Sequence, residues 1–392
     1  MTGRTVGPAR PLRVVHVITS LTTGGAERQL EMLVRRSAHD SVTIALYAGG
    51  PVADSMRAAG ERVEVLDLVG WRRLLTSVVL ARRLRHYRPD VVHVHLLSAQ
   101  LWGIPAARLA GVPVVVSTEH SLMDDTIEGR PHTWWLRLLY RGLERLATHT
   151  VAVSSTTALR LRRWGVQGSR ITVADNGIDF EALAFDAEAR HRVRAELGIA
   201  ETTHVIGAVG RLDPVKRMDT ILRASAPALR AGAVLVVAGT GPLLGTLQAV
   251  AADLGVTDSV HWLGPRGDIA AVLSTVDVLV SASADETFGM AVVEAIGSGL
   301  PVVYVEAPAL DELDAAPTQA VQVVPAADPA DPVGRAADER RLGAAVEEAL
   351  VDVHRWPVPT VLTQRYGAQA AAGRVDDVYA SLVTRPLSES RA

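Results

Sequence analysis

The 392-residue sequence predicts a two-domain α/β protein in which each domain is a parallel sheet covered by helices. Three observations carry that expectation. Short β-branched runs alternate with amphipathic stretches along most of the chain, the pattern of βα units rather than of hairpins. The length exceeds what one hydrophobic core usually organises. The charge also reverses midway: residues 1–180 hold 23 basic and 15 acidic side chains, a balance of +8, and residues 181–392 hold 17 and 28, a balance of −11.

In the first half, residues 14–18, 43–47, 63–66, 91–94, 114–117 and 150–154 are apolar runs of strand length, as strands buried on both faces require. Between them, residues 27–36, 74–86, 134–147 and 157–164 space their apolar side chains as helices do. The rhythm restarts at 205–209 and continues through 234–238, 259–262, 278–281, 302–305 and 321–324. Two such series imply two Rossmann-like domains, expected at residues 1–182 and 197–364. The seam falls in the charged stretch 180–196, which lacks a strand pattern. Residues 325–340, rich in Asp and Pro, read as a surface loop, 366–382 as a last helix and the tail after Thr384 as frayed.

Composition removes whole classes of function. Apolar residues make up 48% and charged residues 21%, so the chain can fill two cores and is not disordered. No cysteine is present, which excludes disulfides, thiol nucleophiles and zinc–thiolate sites. A net charge of −3 does not make a nucleic-acid glove. No run of 18 uncharged apolar residues occurs, and residues 1–13 hold three arginines and two prolines before only five mainly apolar residues. That start is no signal peptide, so a soluble cytoplasmic protein is expected. Of the 40 basic residues only Lys216 is lysine, which singles it out as a place where arginine does not serve.

Several stretches combine chemistry with the right place in a βα unit. Gly24-Gly25 lies between a strand and a helix, where bare backbone N–H groups can approach an anion; an ordinary tight turn would read the same way. Gly210-Arg211-Leu212-Asp213-Pro214-Val215-Lys216-Arg217 follows the first strand of the second half, so Arg211 and Lys216 can converge on a diphosphate at the strand's carboxyl end. Asp285-Glu286-Thr287-Phe288-Gly289 leads into a helix carrying Glu294. The two glutamates are too far apart, up to about 12 Å, to share a proton or metal, but they can hold the two ends of an extended ligand. Between them the helix start at Gly289 suits phosphate. Gly239-Thr240-Gly241-Pro242-Leu243-Leu244-Gly245 only superficially resembles a dinucleotide fingerprint, because its third glycine is late and no ribose-binding acid follows the next strand.

His120 ends a strand and can serve a substrate hydroxyl. Asp124, Asp125 and Glu128 follow with no basic residue before Arg130, an acidic rim suited to a polyamine. His93 and His95 share one strand face, where packing is favoured over metal ligation. Residues 72–88, with Arg82, Arg83 and Arg85 beside leucines, fit the outer face of a packed helix better than a membrane anchor.

Taken together these stretches resemble the family 4 retaining glycosyltransferases of GT-B architecture, along nearly the whole chain. Glu286-x7-Glu294 after Gly210–Arg217 is the most specific part, with support from Gly24-Gly25, Asp90–His95, Val151–Ser154 and Asn176–Asp179. The resemblance implies a UDP-sugar co-substrate and neither cofactor nor metal. Arg211 and Lys216 would hold the diphosphate, Glu294 the ribose, and Glu286 the donor sugar. Phe288 and Gly289 would meet the donor through backbone, Gly25 would approach the phosphates, and His120 would be the family's cleft histidine. Residues 365–384 would form the helix that crosses back to the first domain. The family's Gly-Gly turn after Pro301 is replaced by Glu306-Ala307-Pro308-Ala309-Leu310-Asp311-Glu312. The arginine bias and acidic rim are similar to actinomycete enzymes of aminoglycoside assembly. They imply a hexose or amino-hexose, glucose or kanosamine, moved to a 2-deoxystreptamine pseudodisaccharide of the neamine or paromamine type. A cell-envelope polysaccharide or lipid acceptor is the alternative.

Overall fold

The computed structural model describes residues 10–324 and 332–384. The chain divides into two compact units: the first runs through Gly177 and resumes at Arg365, and the second is Ile178–Gln364.

The first unit begins with β1 (Arg13–Ser20), α1 (Gly25–Arg36), β2 (Asp40–Ala48), α2 (Pro51–Ala58), β3 (Arg62–Val65) and α3 (Thr76–Tyr87). It continues with β4 (Val91–His95), α4 (Leu97–Leu109), β5 (Val114–Glu119), the strands β6 (Thr126–Ile127) and β7 (Arg130–Pro131), and α5 (Trp134–Leu146). It then adds β8 (His149–Ala152), α6 (Ser155–Arg163) and β9 (Ile171–Val173). The seven-stranded sheet is ordered β3-β2-β1-β4-β5-β8-β9 and is parallel throughout. Valines at alternate positions of β1 and β4 build two cores. Val15, Val17, Val92 and Val94 pack under α3, α4 and α5, whereas Val14 and Val91 face the other layer.

The second unit holds α7 (Ala187–Glu196), β10 (Val205–Val209), α8 (Met218–Arg230), β11 (Val234–Ala238), α9 (Leu244–Asp253) and β12 (Val260–Gly264). α10 (Ile269–Thr275), β13 (Val278–Ser281), α11 (Met290–Gly297), β14 (Val302–Tyr304), α12 (Pro308–Asp311), β15 (Ala320–Gln322) and α13 (Pro332–Ala349) follow. Its sheet is ordered β12-β11-β10-β13-β14-β15, again parallel. The division at Gln364 falls within α14 (Thr360–Tyr366), and α15 (Ala368–Thr384) belongs to the first unit, where Ala372, Val375, Val378 and Tyr379 pack with Val14, Leu33 and Val116.

Three local readings need revision. The stretch 180–196 is not bare seam: Asp186 caps α7 by accepting from the amides of Glu188 and Ala189, and Arg194, fully buried, binds Asp277 at 3.0 Å. Residues 332–340, expected as loop, open α13; a proline is tolerated in a helix's first turn, and Leu342 and Val346 farther along drive the helix into the core. The earlier part of that loop and the tail beyond Thr384 lie outside the described residues. Hairpin β6–β7 interrupts the supposed acidic loop.

Gly239 and Gly241 have a steric purpose. A Cβ on Gly239 would sit 1.8 Å from the Gly210 carbonyl oxygen, and one on Gly241 would sit 2.3 Å from that of Leu212. The loops after β10 and β11 therefore pack backbone to backbone, held by Leu212 N–H donating to Thr240 O at 3.0 Å.

Candidate functional site

Ligands of open α/β sheets bind outside the carboxyl ends of the strands, where strand order reverses. In the second unit that point lies between β10 and β13. The loop after β10 rises from Gly210, turns where Asp213 accepts from the Lys216 amide at 3.3 Å, and enters α8 through Arg217 in the left-handed region. Lys216 is thereby aimed across the switch point, where its Nζ donates to Oε1 of Glu286 in the loop after β13. Glu286 is buried and Lys216 four-fifths so. Arg211 instead folds onto Asp213, at 2.8 Å, and stays exposed.

After Glu286 the chain buries Phe288, whose carbonyl accepts from the Ala309 amide at 2.9 Å. Gly289, at φ +89°, caps α11; a Cβ there would lie 2.7 Å from Ala307 Cβ. The departing loop is thus a packed turn, tied by Asp311 to the Ala307 amide (2.9 Å) and the Tyr304 hydroxyl (3.2 Å). Glu294 is half-buried in the middle of α11, and Glu286 lies in the loop that precedes the helix. Lys216 and Glu286 meet in the loop that leads into α11, whereas Arg211 pairs with Asp213.

The first unit's switch point lies between β1 and β4. Gly25 has open space around it, and Gly24 is the crowded one, its Cβ position 2.2 Å from the Glu27 carboxylate. Gln29 of α1 donates to and accepts from the backbone of Gly177 at 2.8 Å, pinning the Asn176-Gly177 segment. Gln29, Asn176 and Gly177 line a cavity together with His95, Thr118 and His120.

His120 is half-buried and joins a row of imidazoles. Its Nε2 lies 3.3 Å from His95 Nδ1, and His95 Nε2 lies 3.2 Å from His16 Nδ1. His93 is held by the Tyr379 hydroxyl and by Thr118, each at 2.6 Å. Burial lowers the pKa of His16 to about 3 and of His120 to about 4, and holds His93 and His95 well below the ordinary value, their neighbouring histidines adding to the effect. The row is neutral at pH 7. His16, His93 and His95 bring ring nitrogens within 4.8 Å of one another. Both His93 nitrogens already serve hydrogen bonds, so a cation would have to break one.

The acidic rim is corrected by α6, which brings its own charge. Arg160 binds Asp124 at 3.0 Å, Arg163 lies 4.0 Å from it, and Glu128 is paired with Arg130 at 2.8 Å while capping Leu97 N–H. Sequence distance hid the partner of Asp124, 36 residues away.

Profiles of two families match in tandem: Glycosyltransferase Family 4 over residues 23–182 and Glycosyl transferases group 1 over residues 189–323. EpsF of Bacillus subtilis (strain 168), a protein named as a glycosyltransferase, is 31% identical over 304 residues, 74% of this chain and 78% of that protein. The chain belongs to the family 4 glycosyltransferases.

Further similarity to this glycosyltransferase is found in a D-inositol 3-phosphate glycosyltransferase of Actinosynnema mirum (28% identical, 74% of each chain). The UDP-Gal:alpha-D-GlcNAc-diphosphoundecaprenol alpha-1,3-galactosyltransferase of Escherichia coli is 28% identical over 74% of this chain and 79% of its own. The crystal structure of Anabaena HepE in complex with UDP and glucose aligns with a TM-score of 0.79 at 20% identity, over 94% of this chain and 100% of that one. The fold is GT-B, two Rossmann-like domains with parallel sheets.

In this glycosyltransferase three supporting residues escaped the sequence reading. His16 looked like one more strand position. Tyr379 sits in the last helix, far from His93 in sequence, and Glu119, buried and accepting from the Tyr140 hydroxyl at 2.7 Å, shapes the turn at His120. Burial raises the Glu119 pKa. For His16 the available signal was a polar residue inside an otherwise apolar run.

Proposed function

We propose that the chain moves a hexosyl group from a UDP-hexose to an acceptor hydroxyl with retention of configuration and without a metal. The observation that carries this reading is the Lys216–Glu286 pair across the second sheet's switch point, beside the positive start of α11. A bound diphosphate would draw Lys216, and Arg211 with it, leaving Glu286 to accept from sugar hydroxyls and Glu294 from ribose. Phe288 and Gly289 would offer backbone, and Gly25 an uncrowded approach to phosphate. As the sugar C1–O bond to UDP breaks, the acceptor oxygen bonds C1 from the same face and its proton passes to the departing phosphate. Two cations and a helix end supply the charge a metal would otherwise give. His120, neutral, is suited to hydrogen-bond a sugar hydroxyl.

For the acceptor, a lipid-linked or cell-envelope sugar is supported by the named activity of the Escherichia coli relative. The amino-sugar reading, kanosaminyl or glucosyl transfer to neamine or paromamine, rests on Asp125, since Asp124 and Glu128 are paired with arginines. Incubation with UDP-hexoses and both acceptor classes, with and without EDTA, tests this, product mass reading transfer and the anomeric proton coupling reading retention. A hexose added to neamine, with a higher KM in Asp125→Asn, would establish the amino-sugar reading. Product on a diphosphate-linked lipid would establish the other, and no consumption of UDP-hexose with any acceptor would refute transfer.

A further inference from the structure

The imidazoles of the first unit constrain one another through their hydrogen bonds. His16 stands on β1, His93 and His95 on β4, and His120 just past β5; parallel register sets His16 beside His93 and His95 beside Thr118. His93 is closed off: the Tyr379 hydroxyl meets its Nδ1 and the Thr118 hydroxyl its Nε2. Its ring centroid lies 4.1 Å from that of His95 and braces it. The other three rings form a chain of two bonds, His16 Nδ1 to His95 Nε2 and His95 Nδ1 to His120 Nε2.

A neutral imidazole carries one N–H, and each bond between rings needs one donor and one bare nitrogen. Burial keeps all three rings neutral at pH 7. Three protons then satisfy two bonds in only two ways: every ring is protonated at Nδ1, or every ring at Nε2. The ends of the chain tell the two apart. With protons on Nε2, the terminal N–H belongs to His16, which is 1% exposed and whose Nε2 meets no partner. A buried N–H without an acceptor is the rarer and costlier orphan, whereas a bare nitrogen there leaves only a lone pair unmet. With protons on Nδ1, the terminal N–H is that of half-buried His120, which lines the cavity beside Gln29, Asn176 and Gly177. The ends therefore select the Nδ1 form throughout.

We propose that His16 and His95 are positioning residues that hold His120 in its Nδ1–H form, so that it meets a sugar hydroxyl only as a hydrogen-bond donor. This deepens the transfer reaction proposed above and rests on it for the identity of the ligand. Because Nε2 of His120 is turned onto His95, a bond from this ring to a hydroxyl runs through Nδ1. So held, His120 cannot take the proton of the attacking hydroxyl, which leaves that proton to the departing phosphate. Histidine tautomers are often set by a carboxylate or a backbone carbonyl on the second nitrogen. Here another imidazole does it, and Glu119, next in sequence to His120, is committed to the Ser121 amide (2.8 Å) and the Tyr140 hydroxyl (2.7 Å).

The test reads the tautomer directly, by nitrogen NMR of the full chain labelled with isotopic histidine, the His120 signals being identified by their loss in His120→Asn. Expected is a proton on Nδ1 and a bare Nε2, the reverse of the form that free histidine favours in water. Asn and Leu are close in size, but only Asn at position 95 can place an amide N–H where His95 Nδ1 stands. His95→Asn should therefore keep the Nδ1–H form and hold kcat/KM within about threefold of wild type, whereas His95→Leu should show mixed tautomers and lose roughly tenfold, as for one hydrogen bond. The same two substitutions at His16 should act in the same sense and less strongly. Wild-type His120 protonated at Nε2 overturns the proposal. So does an unchanged tautomer in His95→Leu, or an equal fall in kcat/KM for His95→Asn and His95→Leu. The NMR needs no turnover, so the wild-type signals decide the tautomer even if a variant fails to fold or hexosyl transfer is itself refuted.

Discussion

Acidification should unfold the first unit through its buried imidazoles. An unfolded histidine titrates near 6.5, whereas burial lowers His16 to about 3 and His120 to about 4. Below pH 6.5 the unfolded chain takes up protons that the folded chain refuses, so stability present above that pH is lost as pH falls toward the folded values. Each such group costs about 1.4 kcal/mol per pH unit, or about 2 kcal/mol by pH 5, and the two together about 4 kcal/mol. His93 and His95 act in the same direction. Against a stability of about 5–15 kcal/mol, that should lower the unfolding temperature by roughly 10 °C between pH 7 and pH 5. Tryptophan fluorescence follows it well, since five of the seven tryptophans (71, 102, 134, 135 and 164) lie in the first unit. His16→Leu removes one of the two groups, so its pH-induced loss should be smaller by about 2 kcal/mol, the carboxylates cancelling in the comparison. Parallel stability–pH curves for wild type and variant would refute the buried, neutral row.

Three other outcomes are expected. Lys216→Ala and Glu286→Gln should each lower kcat/KM by roughly 10²–10³; calorimetric UDP affinity should fall in the first and hold in the second, and near-normal rates in either would remove the pair from the donor site. Gly241→Ala drives a Cβ to within 2.3 Å of a backbone oxygen, so it should cost more than about 3 kcal/mol or abolish soluble protein, read by thermal unfolding. Tyr379→Phe strips a 2.6 Å bond from fully buried His93 and should cost about 1–3 kcal/mol by urea titration, with transfer retained at low temperature.

The sequence alone determined the architecture and singled out the residues proposed for the donor side. Strand and helix periodicity, the glycines at βα turns, the lone lysine and the two glutamates are local signals, because each follows from what one strand or one turn needs. The tertiary structure decided which charges oppose one another. Asp124 looked bare until α6 brought Arg160 beside it, 36 residues away in sequence, and Arg211 looked like an equal partner of Lys216 until it turned onto Asp213. α13 was hidden because its register is set by Leu342 and Val346 entering a core built from distant strands. The imidazole row was equally invisible: parallel register lays His16 beside His93, and the last helix supplies Tyr379. Burial then removes the charge those histidines would carry in water. Local sequence specifies the backbone's shape, but the field a titratable group feels is summed over neighbours that only folding brings within a few ångströms.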